Sequence, residues 1–133
     1  MEPGPGYFLY DASDLPSRKM VQLLRQTAAA KNIPLQYDPV TGYGDDAAAM
    51  QSTGGGASSI NLVVPVRYTH AHNGIMNRKD FDQMVDLLVS VLQQLDEQKV
   101  KTLRDFSPGA ITLLHANRQG CRRTGRSASQ NQV

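Results

Sequence analysis

The chain has a single cysteine in 133 residues, Cys121. No internal disulfide can form, and such usage suits a reducing compartment. No apolar run approaches the roughly 18 residues that a membrane-spanning helix needs. The N-terminal MEPGPGYFLYDAS has neither a basic region nor an apolar region after it, so it does not read as a secretory signal. Acidic residues are missing from the last part of the chain. Residues 107–133 carry four arginines and no Asp or Glu, a net of +4, whereas residues 1–106 carry ten Lys/Arg and twelve Asp/Glu, a net of −2. The overall +2 therefore belongs to the tail, and the body lacks the basic character that would suggest nucleic acid.

What remains is an ordinary globular composition, 40% apolar and 20% charged, with room for one domain. Tyr7–Tyr10 follows a Pro/Gly turn and reads as a strand. Asp14 and Pro16 give a helix-start signal, and Met20, Leu23, Leu24, Thr27 and Ala28 follow at helical spacing up to a Lys31–Asn32 stop. Ile33–Tyr37 reads as a second strand and Asp45–Gln51 as a short Ala-rich helix that Gly54–Gly56 ends. Ser58–Val66 contains a nearly unbroken apolar run, the pattern of a strand buried on both faces. Beyond Asn77, a plausible N-cap, the residues Phe81, Met84, Val85, Leu88, Val91, Leu92 and Leu95 form one apolar stripe. Residues 96–106 extend this helix or add a second one. Alternating strands and helices predict an α/β fold, a mixed sheet with helices on both faces. Residues 107–133 are rich in Ser, Gln, Asn, Arg and Gly and read as a flexible basic tail, with four arginines too sparse in aromatics to suggest an RNA-binding arm.

Chemistry-bearing residues gather after the apolar run, in Pro65–Gly74. Ligands in open α/β sheets bind just beyond the carboxyl ends of strands, so His70 stands where a metal ligand or base is expected. A lone histidine is more often a loop or core residue. His72 could join His70 in a His-x-His clamp, since residues i and i+2 of an extended segment point the same way; the plainer reading places it in solvent or behind the ligand. Arg67 and Tyr68 could orient a substrate, or could serve only as an ion-paired Arg and a packed Tyr. The triple glycine precedes a strand, whereas a dinucleotide fingerprint follows one. His115 and Cys121 lack zinc-ligand spacing, and no Ser/His/Asp or Cys/His nucleophile arrangement is present.

Four stretches also carry a resemblance: GPGYFLYDASDLPSRK, IPLQYDPVTGYGDDAAAM, VPVRYTHAHNG and NRKDFDQMVDLLVSVLQQLD. In this order they resemble the C-terminal part of the glutamyl aminopeptidase and tetrahedral (TET) aminopeptidase family. The last two are specific; the first two would be weak alone. The resemblance implies the C-terminal portion of a catalytic domain over residues 1–106, followed by the tail. It implies cytosolic, homo-oligomeric exopeptidases that bind two divalent metal ions, zinc or cobalt, and act on the N-terminal residue of peptides, with neither nucleic acid nor membrane as partner. In such a site the metals acidify a bridging water that attacks the peptide carbonyl, assisted by a carboxylate base.

Residue by residue, the family's last metal ligand maps onto His70, in the Arg-Tyr-x-His setting. The loop that usually reads Gly-Thr-Asp-Ala reads Gly44-Asp45-Asp46-Ala47 here, making Asp46 a candidate for lining the substrate side, while Tyr43 replaces a common Gly. Two adjacent carboxylates would repel one another near a metal. The family's other ligands and its general-base glutamate lie upstream of the matched region. The resemblance therefore implies a fragment, or the product of a truncated or mis-started reading frame, inactive alone. The alternative is a non-catalytic α/β module that binds a protein partner.

Overall fold

Residues 4–105 are described by a computed structural model, in which a βαβ unit opens the fold. Strand β1 (Gly6–Tyr10) leads into helix α1 (Arg18–Ala30) and strand β2 (Gln36–Pro39), which pairs parallel to β1. Helix α2 (Asp46–Ser52) follows. Strand β3 (Leu62–Val63) then returns antiparallel to β1, giving the sheet order β2-β1-β3. Strands β4 (Val66–Arg67) and β5 (Ile75–Met76) form a separate antiparallel hairpin. Helices α3 (Arg78–Leu92) and α4 (Glu97–Arg104) complete the described residues. The mixed α/β architecture is the one that the alternating pattern predicts.

Local chemistry sets several of the helix ends. Asn77 caps α3 by accepting from the Lys79 N–H at 3.0 Å, Asp45 caps α2 through the Ala47 N–H at 2.9 Å, and Asp96 caps α4 through the Lys99 N–H at 2.7 Å. Asn32 takes a left-handed φ of 53°, the conformation its short polar side chain tolerates at a helix stop. The expected start of α1 differs. Asp14 does not cap it; the helix begins after Ser17, and Asp14 is buried in the preceding loop. The second strand also begins later than expected. Pro34 has no N–H for a ladder, so Ile33 enters the core from the loop and pairing begins at Gln36.

The core joins Tyr7 of β1 to Leu23, Leu24 and Ala28 of α1, Ile33, Leu87 and Val91 of α3 and Leu103 of α4. A polar bond pins α3 to the start of the sheet. The Gly4 N–H donates to Asp80 Oδ1 at 2.9 Å, in the first turn of α3, while Gln36 Nε2 donates to the Gly4 carbonyl at 2.8 Å. Gly4 has a φ of 99°, and a Cβ there would overlap the Pro34 carbonyl, so only glycine fits. At the other end of α3, Gln94 Nε2 donates to Thr27 Oγ1 of α1 at 2.9 Å. The Leu103 carbonyl accepts from Ser58 Oγ, and Lys19 Nζ donates to the Thr102 and Asp105 carbonyls, which holds α4 against the fold.

Two sequence expectations are corrected here. Ser58–Val66 is not one strand buried on both faces. Only Leu62–Val63 and then Val66–Arg67 are strand, residues 60–65 are half-buried, and Val66 and Arg67 are exposed. Pro65 cannot donate to a ladder, and the chain leaves the three-stranded sheet there for the hairpin. The stripe of α3 is also rotated. Met84 and Val91 are buried as expected, but Leu87 is the wholly buried residue, with Asp80 and Ser90 beside it, while Phe81, Val85, Leu88 and Leu92 are exposed.

This rotation is measurable. Leu87→Ala should destabilise the chain by about 2–5 kcal/mol through lost burial and a cavity. Leu88→Ala, at a position already 42% exposed, should cost about 1 kcal/mol or less. Denaturant unfolding of both variants gives the two values, and equal losses would mean that the helix is rotated otherwise.

Candidate functional site

His70 lies in the loop that joins β4 to β5, among residues 66–79, all of which are exposed. The loop turns tightly, with the Ala71 N–H donating to the Tyr68 carbonyl at 3.1 Å. Tyr68 and His70 both have positive φ, 63° and 61°. Each such residue costs on the order of 1–3 kcal/mol unless its surroundings hold it, and residues of this kind concentrate at ligand clamps. Both imidazoles, of His70 and His72, are exposed. Arg67 and Tyr68 are exposed as well, so neither is buried among the described residues.

Asp46 lies on a different element, in the first turn of α2, and is also exposed. Asp45 beside it is engaged in capping that helix. This gives a physical reason for an Asp where the resembling family has Thr, because both residue types cap helix N-termini. Capping also turns one carboxylate of the adjacent pair onto a backbone N–H. Tyr43 packs edge-to-face on Phe8, with ring centroids 5.7 Å apart. Asp45 and Asp46 stand at the rim of an open cleft of about 540 Å³ between α1, α2 and α3.

The donor set does not by itself fit a pair of metal ions. Among the described residues no three His, Cys, Asp or Glu side chains come together closely enough to hold even one ion. His70 and Asp46 are single candidates on separate elements. His115 and Cys121 lie outside the described residues.

A polar cluster that the sequence reading did not single out lies behind α2, in the loop between β1 and α1. Asp11 Oδ1 accepts from the Ser13 and Asp14 N–H groups, both at 2.6 Å, and from Ser13 Oγ at 3.0 Å. Asn61 Nδ2 donates to Asp11 Oδ2 at 3.4 Å, and Ser59 Oγ donates to Asp14 Oδ1 at 3.3 Å, tying the loop to the segment that leads into β3. Asp14 is only 3% exposed, and its Oδ2 finds no partner among the described residues. The two carboxyls diverge. The Ser13 N–H, opposed by burial and helped by the Asp14 N–H and the Ser13 hydroxyl, holds Asp11 below its ordinary value. Burial pushes Asp14 above its own, opposed by the Ser59 hydroxyl and helped by the charges of Asp11 and Asp45. The signal available in the sequence was Asp-x-Ser-Asp, an Asx-turn pattern.

Comparison with known proteins places this geometry. The model of the M42 glutamyl aminopeptidase family matches residues 1–87. The chain is 31% identical over 87 residues to a glutamyl aminopeptidase of Lactococcus lactis, covering 65% of this chain and 24% of that protein. It is 30% identical over 91 residues to a lysyl aminopeptidase of Pyrococcus furiosus, covering 68% and 25% respectively. Among solved structures, a TET aminopeptidase from a marine-sediment Thaumarchaeota archaeon superposes with a TM-score of 0.74 at 29% identity, over 77% of this chain and 29% of that one. The Pyrococcus horikoshii TET1 peptidase, which assembles into a tetrahedron or a large octahedral shell, superposes with a TM-score of 0.60 at 28% identity, over 69% and 27%. The chain thus spans less than a third of the length of the curated relatives it matches.

The buried carboxyl yields a pH prediction. A folded-state value raised above the ordinary 3.8 means that the native state holds its proton longer than the unfolded one. Asp14 therefore contributes stability below about pH 3.8 that is lost as pH rises through its folded value. Asp14→Asn should remove that loss and raise stability at neutral pH relative to the native chain. Thermal unfolding from pH 3 to pH 8 checks it, and a variant less stable at neutral pH would count against an unpaired buried carboxyl.

Proposed function

The chain belongs to the M42 glutamyl aminopeptidase family, and on that basis we propose that it forms the C-terminal portion of a metal-dependent aminopeptidase catalytic domain. In this reading His70 is one ligand of a site for two divalent ions, zinc or cobalt, and Asp46 lines its substrate side. The substrate is a peptide, released of its N-terminal residue, and the assembled enzyme is a cytoplasmic homo-oligomer. No helix among the described residues is long and apolar enough to cross a membrane. Residues 1–106 are the partial catalytic domain, and residues 107–133 are a basic tail outside the catalytic machinery.

One observation supports the reading most. The family match, residues 1–87, takes in the β4–β5 loop and the first part of α3, and His70 stands in that loop in a conformation that L-residues rarely adopt. An imidazole held at a turn between two ordered elements offers a nitrogen at a fixed position, which a metal ligand requires. The described residues supply no further ligand cluster, so the remaining donors and the base belong to the part of an M42 domain that this chain does not span. In the present chain the local chemistry is limited to presenting His70 and holding α2 by the Asp45 cap.

The reading makes a paired prediction. The chain alone should hydrolyse no chromogenic amino-acid amide, with zinc, cobalt or manganese added. A single-chain chimera, in which this chain replaces the matching region of the Lactococcus relative, should bind metal and turn over. There His70→Ala should remove bound metal and activity, while His72→Ala should leave much of both. Metal analysis and kinetics decide it; greater damage from His72→Ala would reverse the ligand assignment, and indifference to both would reject the reading of the loop.

A further inference from the structure

Asn73 and Gly74 form the one Asn-Gly pair in the chain. In a hairpin such a pair ordinarily supplies the two left-handed residues of a tight turn. It does not do so here. Neither residue has a positive φ, and the left-handed positions of the β4–β5 loop fall on Tyr68 and His70. Lack of space does not call for the glycine either, since a Cβ on Gly74 would meet nothing closer than the Arg67 carbonyl, at 3.7 Å. The fold therefore gives no reason for this pair, whereas its chemistry gives one. The peptide nitrogen after an asparagine can close a five-membered ring on the side-chain Cγ. Closure is easiest before glycine, where no Cβ screens the nitrogen and the backbone turns most freely.

Hydrogen bonds to either group would hold the ring open. Among the described residues nothing accepts from the Gly74 N–H, and nothing is bonded to the Asn73 amide. Both residues are exposed, so water reaches them. The other described asparagines are held. Asn61 Nδ2 donates to Asp11 Oδ2, Asn77 Oδ1 accepts from the Lys79 N–H, and the Ile33 N–H that follows Asn32 donates to the Ala28 carbonyl at 2.9 Å. We propose that Asn73 is a site of spontaneous deamidation. The Gly74 nitrogen gives up its proton and bonds to Asn73 Cγ; the Cγ–Nδ2 bond breaks, and the amide group leaves as ammonia with that proton. Water then opens either C–N bond of the cyclic imide, leaving an aspartate or an isoaspartate at position 73. The sum consumes one water, releases one ammonia and oxidises nothing. The new carboxylate stands next to His72 and three residues after His70, and isoaspartate also lengthens the loop backbone by one carbon. The chemistry does not depend on the ligand role of His70; if that role holds, the modified residue lies in the metal-binding loop.

The test incubates the full 133-residue chain, without metal, at mildly alkaline pH. Intact mass and peptide mapping that separates aspartate from isoaspartate follow the change. A one-dalton gain should appear and map to position 73, partly as isoaspartate, about tenfold or more faster than at Asn32, Asn61 or Asn77. Gly74→Ala should slow it about tenfold, because the added Cβ screens the nitrogen and restricts the backbone. Circular dichroism should stay native in that variant, since the Cβ has room. Should Gly74→Ala disturb the fold, the comparison among asparagines of the native chain still decides. The proposal is overturned if position 73 keeps its amide, if another described asparagine converts as fast, or if a natively folded Gly74→Ala reacts as the native chain does. The two readings fail separately. A chimera indifferent to His70→Ala, beside a chain that deamidates at Asn73, keeps the modification site and rejects the ligand role; an active chimera beside a chain that keeps its Asn73 amide does the reverse.

Discussion

The rotation of α3 about its own axis is the constraint on which the rest of the fold depends. Two contacts set it. Leu87, wholly buried, meets the core made by Tyr7 and α1, and Asp80 in the first turn accepts the Gly4 N–H at the start of the sheet. Neither contact alone would suffice. A leucine in a core fixes which side of a helix faces inward but tolerates sliding, whereas a hydrogen bond to a backbone N–H fixes one point along the axis. With both in place, the Gln94–Thr27 bond at the far end follows, and the Asn77 cap fixes where the hairpin must enter.

That rotation also decides what is left uncovered. The side of α3 turned to the core includes polar Asp80 and Ser90, while five large apolar residues, Phe81, Val85, Leu88, Val89 and Leu92, are exposed. Ranking by hydrophobicity alone would reverse this choice. It holds because burying Asp80 satisfies the buried Gly4 N–H, which would otherwise be orphaned next to the sheet. Leu88 and Leu92 of the outward residues line the cleft beside α1 and α2.

The loop between β1 and α1 follows the same logic with polar groups. Asp11 takes up two backbone N–H groups and becomes the stable anion of the pair, leaving Asp14 buried with one oxygen unpartnered. Their values move in opposite directions because hydrogen bonds favour the ionised form of one and burial disfavours that of the other. The Asp-x-Ser-Asp pattern signals a turn but not this division, which depends on Ser59 and Asn61 arriving from the segment before β3.

Much was legible from residues near one another in sequence. The cap at Asn77, the stop at Asn32, the helical spacing of Leu23, Leu24, Thr27 and Ala28, and the α/β class rest on local geometry, and the likeness of VPVRYTHAHNG to a metallo-aminopeptidase loop rests on residue identity. Other features were not. The apolar run before Pro65 looked like one buried strand, because periodicity reports hydrophobicity and not which neighbours exist to bury it. The stripe of α3 was placed about one residue off, because an apolar arc wider than half the helix leaves the rotation undetermined until other elements select a side. Sequence by itself determined the α/β class, the helical segments, the cap at Asn77 and the family resemblance; tertiary structure alone decided the rotation of α3, the split of the apolar run into two strands and the pairing of Asp11 with distant partners, since each depends on contacts between residues far apart in the chain.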